Sequence, residues 1–368
     1  MTRDTSGRGG GNPSEVTSCP VRRGPARIIL DSVTTSAETS ESLAVRFPDS
    51  ETVRAALALA IRAPSVHNSQ PWHWKIGAES LHLYADRSRH LPVIDSDRRD
   101  MLISCGMALH HAVVGLAALG WRAKVHRIPD PANPDHLASL ELVPQEPTSA
   151  DIALAAAIPQ RRTDRRHYSF WPVSLSDIAT MGARVARMGI VMRRVEMSID
   201  IRAIVEEAVR RHRNDPAYLA EIAEWTGRHA SPVGIPERNI PESDPAARLP
   251  GRLFAGAGLS QPPHTPALQD RGVLLALGTA ADDDVARLRA GEASSLLLLT
   301  ATSCGLASCP VSEPLEVGET RDAVREEVFG GQQYPQMMFR VGWAAVGAEP
   351  LPSTPRLPLD AVVSTLEA

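Results

Sequence analysis

Cysteine is scarce in this 368-residue chain. Cys19, Cys105, Cys304 and Cys309 are too few and too irregularly spaced for a disulfide framework, and no Cys/His cluster has zinc-site spacing. Cys105 and Cys304 sit in apolar runs of helical period and read as small buried hydrophobes. Lysine is scarcer still, only Lys75 and Lys124, and a net charge of −4 offers no basic face to nucleic acid. The early arginines are followed only by Ile28-Ile29-Leu30, too short an apolar run for a signal peptide. The most apolar long stretch, Met101 to Leu119, contains Ser104, Gly106 and His110-His111, which suits a packed core helix better than a membrane span. These absences point to a cytoplasmic protein with neither nucleic acid nor membrane as partner. No Gly-x-Ser-x-Gly elbow, P-loop or Gly-x-Gly-x-x-Gly fingerprint is present, and the lack of the last argues against a Rossmann dinucleotide domain.

What is present is core-forming material, 43% hydrophobic residues, arranged in two similar passes. Residues 1–45 are rich in Gly, Ser, Thr, Arg and Pro without periodicity and read as a disordered extension. The first pass, 46–148, has a helix over 51–62, a hairpin through Gly77-Ala78-Glu79, a long helix over 98–119 closed by Gly120, and a strand at 123–128. The second, 149–368, has helices at 149–158 and 176–187 and a strand at 190–195. A polar helix at 200–226, a strand at 273–277 and a second long apolar helix at 284–303 follow, the last stopping at Gly305. Helices apolar nearly all round belong at the centre of something large. Aligning Ser104–Leu109 with Ser294–Leu299 suggests an internal duplication packed as a pseudo-dimer. Between Gly227 and Asp270 a segment dense in proline and glycine breaks the rhythm. Leu253, Phe254 and Leu259 give it apolar weight, and a long loop of this kind reads as a lid. A disordered insertion is the other reading of the same composition.

The densest information lies in Ala63-Pro64-Ser65-Val66-His67-Asn68-Ser69-Gln70-Pro71-Trp72-His73-Trp74. A helix-period run (Val53, Ala56, Leu57, Ala60, Ile61) leads into Pro64, which disfavours helical geometry in the residue before it. A hydroxyl, an imidazole and two amides then fill a short turn ahead of the alternating Trp72, Trp74 and Ile76. Such a turn presents backbone N–H groups and fixed amides to something flat. A proline-bracketed surface turn would account for the composition but not for the order. The stretch resembles the Pro-Ser-x-x-Asn-x-Gln-Pro-Trp turn of the FMN-dependent nitroreductase family, which contacts the flavin ring. Three further stretches resemble that family. Arg161, Thr163 and Arg165 are similar to its Arg-x-Ser-x-Lys/Arg phosphate motif. Gly305 to Glu313, with Pro310, Val311 and Ser312, resembles the segment beside the flavin's N5 edge, with Glu313 where Gly is usual. Arg356, in Pro355-Arg356-Leu357-Pro358, resembles the Arg-Leu-Pro return to the phosphate.

The resemblance implies an α+β fold of nitroreductase type, duplicated within one chain, with long central helices flanked by mixed or antiparallel sheets. The turn occurs only in the first half and the phosphate motif only in the second; near Arg46 there is only Val45-Arg46-Phe47-Pro48. One composite FMN site per chain is therefore implied, in a monomer that is already a pseudo-dimer, as in the Acg-like branch of actinobacteria. Pro64, Ser65, Val66, His67, Asn68 and Gln70 would hold the ring, Pro310 to Ser312 would line N5, and Arg161, Thr163, Arg165 and Arg356 would hold the phosphate. NAD(P)H and a nitroaromatic, quinone or similar acceptor are the implied partners; a flavin-sequestering or redox-sensing protein with little turnover is the alternative. No protein acid or base and no metal is expected, since the cofactor carries the chemistry. His110-His111 read as core histidines, and Asp282-Asp283-Asp284 as negative charge at a helix start.

Overall fold

The computed structural model describes residues 47–262 and 265–367; the N-terminal extension expected over 1–45 lies outside them. Asp49 caps α1 (Ser50–Ala60) by accepting the Thr52 N–H, and the helix buries Val53, Ala56, Leu57 and Ala60 as its spacing requires. β1 (Trp72–Ile76) and β2 (Ser80–Ala85) form the expected hairpin, with Trp72 and Trp74 fully buried. The long helix α2 (Arg99–Ala118) follows, then β3 (Trp121–Arg127) and β4 (His136–Pro144). α3 (Ser149–Ala157) starts on a capping box between Thr148 and Asp151, and α4 (Leu175–Ala186) leads into β5 (Val191–Val195).

The single polar helix expected over 200–226 is two. α5 (Ile199–Arg213) ends at Asn214, and α6 (Pro216–Trp225) restarts with Asp215 as its cap. Pro216 is the cause: it holds Asp215 extended, and its missing N–H is tolerated only in the first turn of a helix. Two short parallel strands, β6 (Thr226–Arg228) and β7 (Ile235–Pro236), open the proline-rich segment. β8 (Val273–Thr279) is buried along its whole length, and α7 (Asp284–Ser303) is capped by Asp283. β9 (Ala307–Pro310), the single turn α8 (Glu313–Glu316), α9 (Gly318–Phe329), β10 (Tyr334–Gly342) and β11 (Val363–Thr365) complete the chain.

The architecture is α+β. One sheet has the order β11-β1-β2-β4-β3, antiparallel except where β11 runs parallel to β1; the other, β5-β8-β10-β9, is antiparallel throughout. α2 and α7 lie between them and are buried on nearly every face, so the apolar stretch at Met101 is indeed core. Gly106 and Gly291 mark their crossing, each the eighth residue of its twenty-residue helix. His110 Nδ1 meets Ser295 Oγ at 2.8 Å across the same contact, 185 positions apart. Each helix is followed by a glycine of positive φ, Gly120 at 91° and Gly305 at 78°. All three pairs share one offset, so the alignment of Ser104 with Ser294 is five residues out of register at its N-terminal end. β11 lies in the sheet of the first pass, so the last residues of the chain complete the structure of the early ones.

Candidate functional site

The turn after α1 is held in a strained backbone. His67, Asn68 and Gln70 have φ values of 43°, 55° and 54°, uncommon for residues with a side chain. Such conformations persist only where the surroundings over-determine them, and here they do. The Gln70 N–H donates to Ser65 Oγ at 3.0 Å, and the Val66 N–H donates to Ser104 Oγ on α2 at 3.0 Å. Asn68 Nδ2 donates to the carbonyls of Gly234 and Pro355, at 3.1 and 3.2 Å, which leaves Oδ1 as that amide's free acceptor. Gln70 Nε2 donates to Pro232 O at 2.8 Å, and Gln70 Oε1 accepts the Leu357 N–H at 2.9 Å.

The second pass delivers its residues to the same place. Thr163 bridges to Ser308, and the Asp164 N–H donates to Ser308 O at 2.9 Å, so residues 161–165 lie along β9. β9 runs directly into Pro310-Val311-Ser312. A cavity of about 530 Å³ results, lined by Pro64, Ser65, Val66, His67 and Asn68 from the turn. Arg161, Thr163 and Arg165 line it from the second run, Pro310, Val311 and Ser312 from the end of β9, and Arg356 from the C-terminal segment. That size is ordinary for a cofactor pocket.

Its electrostatics are uneven. Arg161 is 7% exposed, its nearest polar partner is Thr163 Oγ1 at 3.4 Å, and its Nε has none. Burial, then Arg162, Arg62 and Arg165, push its guanidinium down to about 10. Arg165 donates to Asn239 O and lies over the Phe254 ring, 5.1 Å from its centre. Among the described residues neither arginine has a carboxylate partner, whereas Arg166 is taken by Asp164, Arg252 by Glu316 and Arg340 by Asp270. The buried Arg161 and the half-buried Arg165 repel one another and leave this wall of the cavity positively charged. His67 is buried with both ring nitrogens unpartnered. Burial and the charges of Arg252 and Arg165 hold its imidazole well below the ordinary value, so it is neutral.

Three expectations need correction. Gln70 does not line the cavity; its amide is spent on Pro232, Asn68 and Leu357, so it fastens the turn. Arg356 does line it, but all five of its N–H groups point at carbonyls, those of Ile61, Arg62, Ala63, Thr354 and Pro355. It closes the C-terminal end of α1, where a cation is favoured, and adds charge to the cavity without a free donor. Finally, the Val311 N–H is spent on Met338 O at 2.8 Å and Pro310 has none, so Ser312 is the residue of that segment left to offer a backbone N–H.

No family model matches the chain. Curated relatives do. The chain is 56% identical over 317 residues to "Putative NAD(P)H nitroreductase Rv3131" of Mycobacterium tuberculosis (strain ATCC 25618 / H37Rv), covering 86% of this chain and 92% of that protein. It is 34% identical over 319 residues to "Putative NAD(P)H nitroreductase acg" of the same strain, covering 85% and 95%. The chain belongs to the nitroreductase family, in its Acg-like branch. Among solved structures, a nitroreductase with bound FMN from Bacteroides fragilis aligns with 58% of this chain and 98% of its own at 15% identity and a TM-score of 0.38, too distant to assign residues.

In this member of the family the cavity has one wall, at the start of α2, that the sequence does not point to, and another from the segment expected to be a lid. Asp100 and Ser104 enter from the start of α2, and residues 247–254 of the proline-rich segment also line the cavity. Glu313, where glycine is usual, is buried and pairs with His212 Nδ1 at 2.8 Å. Glu313 and Glu316 lie three apart on one turn of helix, but their partners are distant in sequence, so no local pattern announces the cluster.

Proposed function

We propose that this protein binds one FMN per chain in the cavity and is an oxidoreductase that takes electrons from NAD(P)H for a nitroaromatic, quinone or similar acceptor. The observation that carries this reading is the pair of arginines, Arg161 buried and Arg165 half-buried, left without carboxylates beside a strained polar turn from the other pass of the chain. The donor set suits the cofactor: unpaired guanidinium groups and the Thr163 hydroxyl for a phosphate, and the neutral His67 and the Asn68 acceptor for the imide edge of a ring. Bound there, FMN would supply two-electron transfer between a reduced nicotinamide and an aromatic acceptor. The residues of the chain bind, orient and exclude water; none is required to move a proton. The common offset of the helix pairs supports two nitroreductase-like halves, 46–148 and 149–368, joined as a pseudo-dimer whose site is composite.

One observation favours a second reading, in which the protein sequesters FMN or senses redox state. Residues 240–244, 247–254, 256 and 257 line the cavity, and the Phe254 ring lies 5.1 Å from the Arg165 guanidinium and 6.3 Å from the His67 ring centre. This supports the 227–270 segment as a lid covering the face on which a nicotinamide must stack. Stopped-flow mixing of FMN-loaded protein with NADPH separates the two. Loss of flavin absorbance on mixing supports turnover; absorbance that falls with dithionite but not with NADPH supports storage.

A further inference from the structure

The covering segment has little regular structure to hold it. Beyond residue 239 its β-pairing, among the described residues, is a single bridge, Pro241 to Leu259. Its position over the cavity therefore depends on side chains. Leu249 packs into the second core with Val205, Val209 and Leu315, and the Ala255 N–H donates to Thr226 Oγ1 at 2.9 Å. Arg202 of α5 donates to Ala247 O and Arg248 O, at 2.8 and 3.2 Å, and Arg252 fastens the segment further along. Its guanidinium meets Glu316 end-on, Nη1 to Oε1 at 2.7 Å and Nη2 to Oε2 at 2.5 Å, and donates to Ser312 Oγ at 2.9 Å and Tyr218 Oη at 3.0 Å. Glu313 Oε2 is 3.8 Å from Nε. The socket is buried, with the Glu316 side chain 1% exposed and that of Glu313 4%. It is also braced from outside, because His212 holds the other oxygen of Glu313 and stacks on Tyr218 with ring centres 3.8 Å apart.

We propose that Arg252 is the latch of the cavity: seated between Glu313 and Glu316, it fastens residues 247–257 to the wall carrying Pro310-Val311-Ser312, and the cavity opens when the guanidinium withdraws. Three points support a latch over ordinary packing. The socket is built wholly on other elements, α6, α8 and the turn before α8. A fork-to-carboxylate contact is directional and comes apart in one step, unlike an apolar interface. The fourth donation, to Ser312, ties cover and wall together at the residue left to offer a backbone N–H to a ligand. That the contents are a flavin rests on the reading above; the latch itself does not.

Hydrogen exchange on the full-length protein without ligand, read over 247–257, tests the latch directly. Arg252→Lys keeps the buried charge but loses the fork, and Glu316→Gln keeps the shape but loses the charge. Both should speed exchange in 247–257 by about tenfold or more, as loss of one charged contact allows, while exchange in α2 and α7 stays as in the parent. Release of FMN into excess apoflavodoxin-type trap should quicken by a similar factor. Exchange in 247–257 that is unchanged in both variants, or that rises equally in α2 and α7, overturns the latch. A parent that binds no FMN overturns the flavin reading alone, since the exchange measurement still decides the latch.

Discussion

Gly106 and Gly291 lie against each other where α2 crosses α7, and neither position has room for a methyl group. A Cβ on Gly106 would stand 2.1 Å from Leu288 O, and one on Gly291 would stand 2.1 Å from Ile103 O. Both obstacles are helix backbone, which cannot swing aside as a side chain can. The crossing fixes how closely α2 approaches α7, and α2 contributes Asp100, Ile103, Ser104 and Met107 to the cavity wall.

Gly106→Ala or Gly291→Ala should therefore cost at least about 3 kcal/mol, at or beyond the upper end of ordinary overpacking. Urea unfolding of each variant checks this, and a midpoint close to the parent's would show that the helices can part without penalty.

Arg161→Ala should weaken FMN binding by roughly ten- to a hundredfold, the worth of a charge-assisted phosphate contact. Riboflavin, which lacks the phosphate, should bind variant and parent alike. Arg161 has no carboxylate to leave behind, so the fold should be unharmed. Equal loss for both ligands would move Arg161 from the phosphate to the ring.

Gln70→Ala removes donors to Pro232 and Asn68 and the acceptor for Leu357, all inside the structure. A loss of about 2–4 kcal/mol in stability is expected, from buried groups left unpaired. Thermal unfolding without ligand should show it. A variant of parental stability that binds FMN poorly would restore Gln70 to the cavity.

Acid should destabilise the protein earlier than its carboxylates alone would. His67, His110 and His111 are buried, and burial holds each imidazole below its ordinary value, His110 at about 4. In the unfolded chain each takes up a proton near pH 6.5. Below that pH the unfolded state binds more protons at these positions, so the histidine contribution is full above about pH 6.5 and is lost as pH drops towards 4; Asp95 and Asp100, whose carboxyls burial raises, Asp95 to about 8, act in the opposite sense over the same range. His110, held at about 4, contributes about 2 kcal/mol of loss by pH 5. Urea midpoints at pH 7.5 and 5.5, compared between parent and His110→Gln, isolate the histidine: the parent should lose more, or gain less, stability on acidification than the variant, and the same pH difference in both contradicts a neutral buried His110.

The turn at Pro64 is legible in sequence because its causes are local: a helix period, a proline that ends it and alternating tryptophans after it. Its strain is hidden, since positive φ falls on His67, Asn68 and Gln70, where no glycine signals it. The long helices are legible from their apolar runs. Their register is not, because only the crossing at Gly106 and Gly291 decides it. β9 and β11 are too short to show a period, and each depends on a partner strand far away in sequence. Arg356 reads as a free cation until its five carbonyl partners are seen. The Arg252 socket joins residues 64 positions apart and has no local trace.

The central claim is one composite flavin site per chain, and equilibrium titration of the ligand-free protein with FMN tests it most directly. Fluorescence quenching should reach its end point at one FMN per chain, in protein that sediments as a monomer, with riboflavin binding more weakly. An end point of two per chain, one per two chains, or no saturable binding would contradict the site described here.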